Sequence, residues 1–350
     1  MAAVVGTQEL RPQVLPALAV AVCYYAGARL GLLRQVVVEN VVVMPIWPPT
    51  GVAMAALLVC GLRCWPGITV GALLAVLAVN APGPDLIGTV AGNTIAPVCA
   101  LLMLRRVGFR TDLSRLRDGL ALVFLAALLA MLVSAVVGSS MLLLTDRLAA
   151  PGYWRVCLAW WVGDAMGVLL VTPVLLLPYQ ARWPPRLGRW REALALALAV
   201  CCVVPLAVYS AIGLLFLVYP LLIWSALRFR VAGSTLCALF MSVLVTVAAT
   251  DYVGSFKGLT PVEVLLKLHA FNGTVALTAL LLSAVITEQR NTRRSVEQAC
   301  QELVEVLENL TMGDAVGRRF TSSARNAGRT SAGPSAGPGA ERSPPAQDGG

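Results

Sequence analysis

The sequence predicts an all-α, polytopic transmembrane helix bundle of about ten spans with both termini cytoplasmic, and three observations predict it. The first is composition: of 350 residues, 58% are hydrophobic and 13% charged, and the mean hydropathy is +0.78, far from an average soluble domain. The second is that apolar runs of roughly 16 to 26 residues recur from Val14 to Ile286. At about 1.5 Å per residue most of these can cross a hydrocarbon core of about 30 Å. The third is that arginines gather in every second loop.

Taken in order, residues 1–13 form a short cytoplasmic N-terminus. Spans are expected at 14–33, 41–62, 65–82, 86–104, 119–144, 156–179, 192–210, 212–227, 232–250 and 261–286. The first is read as a retained span, not a cleaved leader, because Tyr24 and Tyr25 sit like interfacial anchors. Loops kept in the cytoplasm carry the excess of Lys and Arg. Arg63, the group Arg105, Arg106, Arg110, Arg115 and Arg117, the group Arg182, Arg186, Arg189 and Arg191, and Arg228 with Arg230 all fall on one side of the alternation. The opposite loops hold only scattered charges such as Arg34, Arg147, Arg155 and Lys257. A miscounted helix before residue 230 would invert the pattern, so span count and orientation support each other. The net charge of +9 is then a topology signal with attraction to anionic lipid, and calls for no nucleic acid. The expected setting is the cell inner (plasma) membrane, with the lipid bilayer as first partner.

Four spans carry glycines four apart: Gly27 and Gly31, Gly67 and Gly71, Gly88 and Gly92, Gly163 and Gly167. Each pair offers a flat stripe where a second backbone can approach. The run Trp47-Pro48-Pro49-Thr50-Gly51 cannot be helical throughout, because two prolines remove two donors and clash with the preceding turn. A short helix is therefore expected from about Pro48 to Leu62, with a restart at Trp65-Pro66-Gly67. Non-helical backbone at membrane depth is tolerated only against protein or water, so residues 41–47 should line something. Thr260-Pro261-Val262-Glu263 carries the signature of a capped helix start for the last span.

Polar side chains within spans are expensive, and Asn93, Asp164 and His269 stand out. Each lies roughly 7–8 residues, near 10–12 Å, inside the outer end of its span. With the Trp47, Pro48, Pro49 and Thr50 break, and with Trp161 beside Asp164, they make the candidate ligand or switch residues of a cluster open to the outer face. Pairing of His269 with Asp164 is one expectation; for Asp164 a ligand contact and an interhelical hydrogen bond stand equal. One histidine and nine cysteines scattered mostly singly supply no metal site, and no cofactor is expected.

The series Trp47-Pro48-Pro49-Thr50-Gly51, Trp65-Pro66-Gly67, Gly92-Asn93-Thr94, Trp161-Val162-Gly163-Asp164 and Trp224-Ser225-Ala226-Leu227-Arg228-Phe229 resembles the MASE1 family across most of residues 14–288. MASE1 is a membrane-associated sensor domain at the N-terminus of bacterial histidine kinases and diguanylate cyclases. The resemblance implies an input module that passes a signal to a cytoplasmic output domain. It marks Trp47, Pro48, Pro49, Asn93, Gly163, Asp164 and Arg228 as family-typical positions.

Beyond the bundle, residues 289–316 read as a signalling helix or short coiled coil. Val296, Ala299, Leu303, Val306 and Leu310 form an a/d stripe that suits weak homodimerisation through 296–310. Residues 317–350 are expected to be a disordered low-complexity tail. No kinase, cyclase or nucleotide-binding sequence follows, so the reading is a stand-alone or truncated sensor. A histidine kinase, a cyclase or another membrane protein would act in trans. A small-solute transporter is the alternative, favoured by broken helices and an intramembrane carboxylate. An enzyme is the weakest class, because one Asp and one His without a nucleophile elbow or metal motif make a poor catalytic set.

Overall fold

A computed structural model describes residues 5–79, 82–180, 189–210 and 213–330, with side chains from 15 to 305 within those ranges except at Gln180. Arg182 and Arg186 of the expected inner loop, residues 331–350 of the expected tail, and the side chains of Val306 and Leu310 lie outside them. The chain divides into two units, Met1–Arg290 and Asn291–Gly350.

The first unit is a helix bundle with one small hairpin. Its elements are α1 (Val5–Leu32), β1 (Val36–Val38), β2 (Val41–Val43), α2 (Pro48–Cys60), α3 (Trp65–Val79) and α4 (Asp85–Arg106). Next come α5 (Leu116–Ala121) and α6 (Met131–Leu144), joined by a π-helical stretch Leu122–Ala130, then α7 (Tyr153–Met166) and α8 (Thr172–Gln180), joined by a π turn Gly167–Val171. α9 (Trp190–Tyr209), α10 (Val218–Thr250) and α11 (Pro261–Thr330) complete the order, and α11 begins in the first unit and ends in the second.

Among the described residues, eight stretches are long and apolar enough to cross a membrane: Leu15–Leu32, Pro48–Val79, Asp85–Arg106, Leu116–Leu144, Ala150–Tyr179, Trp190–Tyr209, Leu214–Thr250 and Pro261–Glu305. Two break internally, one at the 3₁₀ turn Gly61–Cys64 and the other at Arg230, whose φ of 57° interrupts α10. Beyond that break Gly233 folds back against Phe229 and the Ser225 carbonyl. Divided at these points, the eight stretches give ten segments among the described residues.

One face gathers Arg34 with Asp251 at 2.6 Å, Arg147 with Asp85 at 3.2 Å, and Arg155 with Glu39. The other holds Arg228 with Glu192, the Leu116 amide donating to Glu288 at 2.8 Å, and Arg290 donating to the Leu227 carbonyl at 2.7 Å. Between the faces, large apolar side chains such as Leu18, Ile87, Phe124, Leu198 and Leu266 point outward and are more than half exposed. An apolar girdle of this extent is unfavourable in water and natural in lipid. Inside it, hydroxyls bond their own helices: Thr94 to the Val90 carbonyl at 2.9 Å, Thr246 to Ser242 at 2.7 Å, and Thr287 to Ser283 at 2.7 Å. No water is needed to satisfy them.

The glycine pairs lie at close approaches. Gly67 meets the Ala17 carbonyl and Gly71 meets Tyr24, which seats α3 on α1. Gly88 and Gly92 face Met141 and Val137 of α6, while Gly27 and Gly31 face Pro48, Pro49 and Trp47. The last helix opens as its sequence suggests: Glu263 accepts from the Thr260 amide and hydroxyl, both at 2.8 Å. This reciprocal cap satisfies donors left free by the first turn.

One expectation is corrected. Residues 41–47 are not part of a span: Val41–Val43 is a strand paired antiparallel with Val36–Val38. Glu39 and Asn40 turn the hairpin with φ of 50° and 62°, the positive values a two-residue type I′ turn requires. The helix starts at Pro48, where it is expected, with both prolines in its first turn. The last helix, α11, is described to Thr330, and its first proline beyond residue 316 is Pro334.

Candidate functional site

The central construction is the segment Met44–Gly51, held between two glycine-bearing helices. On one side it lies against Gly27 and Gly31 of α1. On the other, the Trp47 amide donates to the Gly163 carbonyl at 3.0 Å. A methyl at Gly163 would sit 2.5 Å from the Met44 carbonyl oxygen, and one at Gly167 would strike the Trp47 carbonyl. One helical turn further, a methyl at Gly51 would overlap the Gly167 carbonyl and lie 2.6 Å from Val171 Cβ. Backbone thus meets backbone along this seam. Thr172 ties it down by donating to the Gly51 carbonyl at 3.2 Å. The π turn at Gly167–Val171 coincides with Pro173, which lacks the donor for a regular turn.

This arrangement aims Thr50 at Asp164. The Thr50 hydroxyl donates to Asp164 Oδ1 at 2.6 Å, and both residues are buried. Ser134 of α6 is a second hydroxyl neighbour of the same carboxylate, so α2, α6 and α7 meet there. Asn93 lies alongside: its amide nitrogen donates to the Thr89 carbonyl at 3.0 Å, and Ser134 approaches its amide oxygen at 3.4 Å. Pro97, one turn along α4, removes the N–H that would bond the Asn93 carbonyl.

Above these groups lies a cavity of about 490 Å³. The hairpin tip (Asn40, Val41 and Val42) covers it, and Asn93, Ser134 and Asp164 line it. Trp47 and Trp160 also line it, as does the ion pair of Asp85 and Arg147. Asp85 is 2% exposed, and its Oδ1 is buried without a hydrogen-bond partner. Glu39 at the hairpin turn is pinned to Arg155, and the apolar face of the hairpin rests on Leu142, Leu148, Val156 and Leu265.

The sequence candidates divide accordingly. Trp47, Asn93 and Asp164 line the cavity, and Thr50 bonds the carboxylate from behind. Pro48 and Pro49 begin α2 against α1. Trp161 turns away: its indole N–H donates to the Leu128 carbonyl in the π stretch at 2.7 Å, and its neighbour Trp160 takes the cavity wall. His269 does not pair with Asp164. Its ring lies beside the carbonyl of Pro45, an acceptor in a segment that is neither helix nor strand. Its Nε2 is buried without a partner.

Asp85, Arg147 and the hairpin tip are not site candidates in the sequence reading, and neither is Asn272, fully buried in α11 with its amide 3.5 Å from Thr246. For the hairpin a signal existed, since two Val triplets flank Glu39-Asn40. Asp85 and Arg147 are 62 positions apart, and nothing in one sequence joins them. Among the described residues, no group of three His, Cys, Asp or Glu side chains could hold a metal ion.

Fold and cavity together define a multi-pass membrane protein, a helix bundle with a chamber lined by polar groups beneath one small hairpin. Within that class the family is clear: the MASE1 family model matches residues 16–290, and the chain belongs to this family of membrane-associated sensory domains. No curated protein and no solved structure matches the chain.

Proposed function

We propose that the bundle is the input half of a signalling device in a bacterial inner membrane. It registers a ligand or membrane partner at the Asp164 cavity and transmits through α11 into residues 289–316. The observation that carries this reading is the shared seam: Met44–Gly51 touches α1, α7 and, through Pro45, His269 of α11. A change in the cavity therefore has a short mechanical route to the helix that leaves the bundle. A ligand shifts such an equilibrium only by its differential affinity for the two states.

The orientation follows from the faces. The inner face carries the arginines at the ends of α4 and α9 and at the break in α10, and the cavity opens on the opposite, outer face. The ten segments then make ten crossings, with both termini inside. In a cysteine-free background, Ala149→Cys is expected to react with a membrane-impermeant maleimide on intact cells. Arg115→Cys is expected to react only after permeabilisation, and the reverse pattern would invert the assignment.

Past the bundle, Val296, Ala299 and Leu303 lie on one exposed face of α11. This stripe is assigned to weak self-association, or to pairing with a kinase or cyclase in trans. Transmission through a helix has a distinctive test. When a heterologous diguanylate cyclase is fused after residue 312 and one to seven alanines are inserted after Asn291, output is expected to rise and fall with a period near 3.6 residues. Output independent of insertion length would remove the helix from the mechanism. Small-solute transport, favoured by the broken segment beside a buried carboxylate, would show instead as solute flux into proteoliposomes.

A further inference from the structure

We infer that the cavity is a receptor site for a small organic ammonium ion arriving from the outer face. The inference rests on the input reading above and names the chemical class of ligand that reading leaves open.

The charge balance of the chamber carries it. Two carboxylates, Asp85 and Asp164, line the space against one guanidinium, Arg147. Arg147 lies 3.2 Å from Asp85 Oδ2 and leaves Asp85 Oδ1 buried without a partner. Asp164, 6% exposed, accepts from the Thr50 hydroxyl, and none of the ion pairs among the described residues includes it. An anion would meet two carboxylates in a confined space of low dielectric. A neutral solute could donate to the Asp85 oxygen but would leave the excess negative charge uncompensated, whereas an ammonium supplies both positive charge and donors.

The walls agree with this choice. Trp47 and Trp160 line the chamber, and indole is the aromatic side chain best suited to a cation. Val76, Val79 and Leu142 complete an apolar side for the carbon part of the ligand. The Trp47 ring is packed against Gly31 of α1 and has the Tyr24 hydroxyl as a neighbour, which holds it in place. A volume of about 490 Å³ falls in the range of small-molecule pockets, about 300–1,000 Å³.

The test uses the full chain in lipid nanodiscs and a set of probes matched in shape. These are tetramethylammonium, butylammonium and 2-phenylethylammonium, with the neutral 2-phenylethanol and the anionic 3-phenylpropanoate. Binding is read by tryptophan fluorescence and by the shift in melting temperature. At least one ammonium is expected to bind tenfold or more tightly than the alcohol, with the carboxylate weakest. Asp164→Asn and Trp160→Leu should each reduce that binding tenfold or more; where the first variant fails to fold, the second decides. Equal affinity for ammonium and alcohol would overturn the inference by making the chamber merely apolar, and preference for the carboxylate would overturn it in favour of Arg147. No binding by any ammonium would also overturn it. The helix-phase experiment uses no ligand, so it can still succeed when this inference fails. Ammonium binding that leaves the output of the cyclase fusion unchanged would instead defeat the input reading.

Discussion

Gly167→Ala is expected to destabilise the bundle by about 1–3 kcal/mol, and Gly167→Leu to abolish folding. Two effects compete at this position. Alanine favours helix over glycine by about 0.8–1 kcal/mol in water, which would raise stability. Against that, the new methyl meets the carbonyl oxygen of Trp47, a main-chain atom fixed by the hydrogen bond from the Trp47 amide to Gly163. Overfilling a rigid contact costs more than propensity returns, so the steric effect wins. Gly273→Ala is the control, because nothing lies within 4 Å of its added methyl. Only the propensity gain operates there, and its stability is expected to be unchanged or slightly raised. Unfolding by SDS in mixed micelles measures both. A Gly167→Ala protein as stable as Gly273→Ala would mean that Met44–Gly51 does not sit against α7 as described.

Arg147→Ala is expected to cost about 2–3 kcal/mol, toward the low end for a broken buried pair because the guanidinium is partly open to water. Asp85 is the reason: its side chain is 3% exposed while that of Arg147 is 35% exposed. Removing the arginine strands a buried carboxylate that already has one oxygen without a partner. Replacing the charge should relieve the penalty, so the double variant Arg147→Ala with Asp85→Asn is expected to recover at least half of the loss. A double variant no more stable than Arg147→Ala alone would show that the damage comes from lost packing around the arginine stem.

Much of the bundle was legible because membrane physics writes itself locally. Pro48 and Pro49 forbid helix before them, and α2 begins there. Thr260 and Glu263 declare a helix start three residues apart, and the cap forms. Glycines four apart mark stripes that in the structure lie against α1, α2, α6 and the Met44–Gly51 segment. What the sequence hid was of two kinds. The valine hairpin at 36–43 is as apolar as a span, so hydropathy alone absorbed its second strand into a helix; only the Glu39-Asn40 turn distinguished it. The site, by contrast, is made of long-range proximity. Asp164 was visible as an expensive residue, but its partner Thr50 lies 114 positions away. The neighbouring Trp160 and Trp161 face different ways, a matter of helix phase at single-residue precision. His269 drew attention as the one histidine, yet its partner is a main-chain carbonyl, which no side-chain inventory reveals.

The central claim is that the Asp164 cavity and the departing helix are two ends of one device. Its most direct test is the output of the cyclase fusion carrying Asp164→Asn, compared with the unaltered fusion at equal membrane abundance and with the melting temperature measured alongside. Asparagine keeps the shape and an acceptor for Thr50 while removing the charge, so the bundle is expected to remain folded and the output to lock at one level, insensitive to conditions that modulate the parent. A folded Asp164→Asn fusion whose output still varies like the parent would contradict the account.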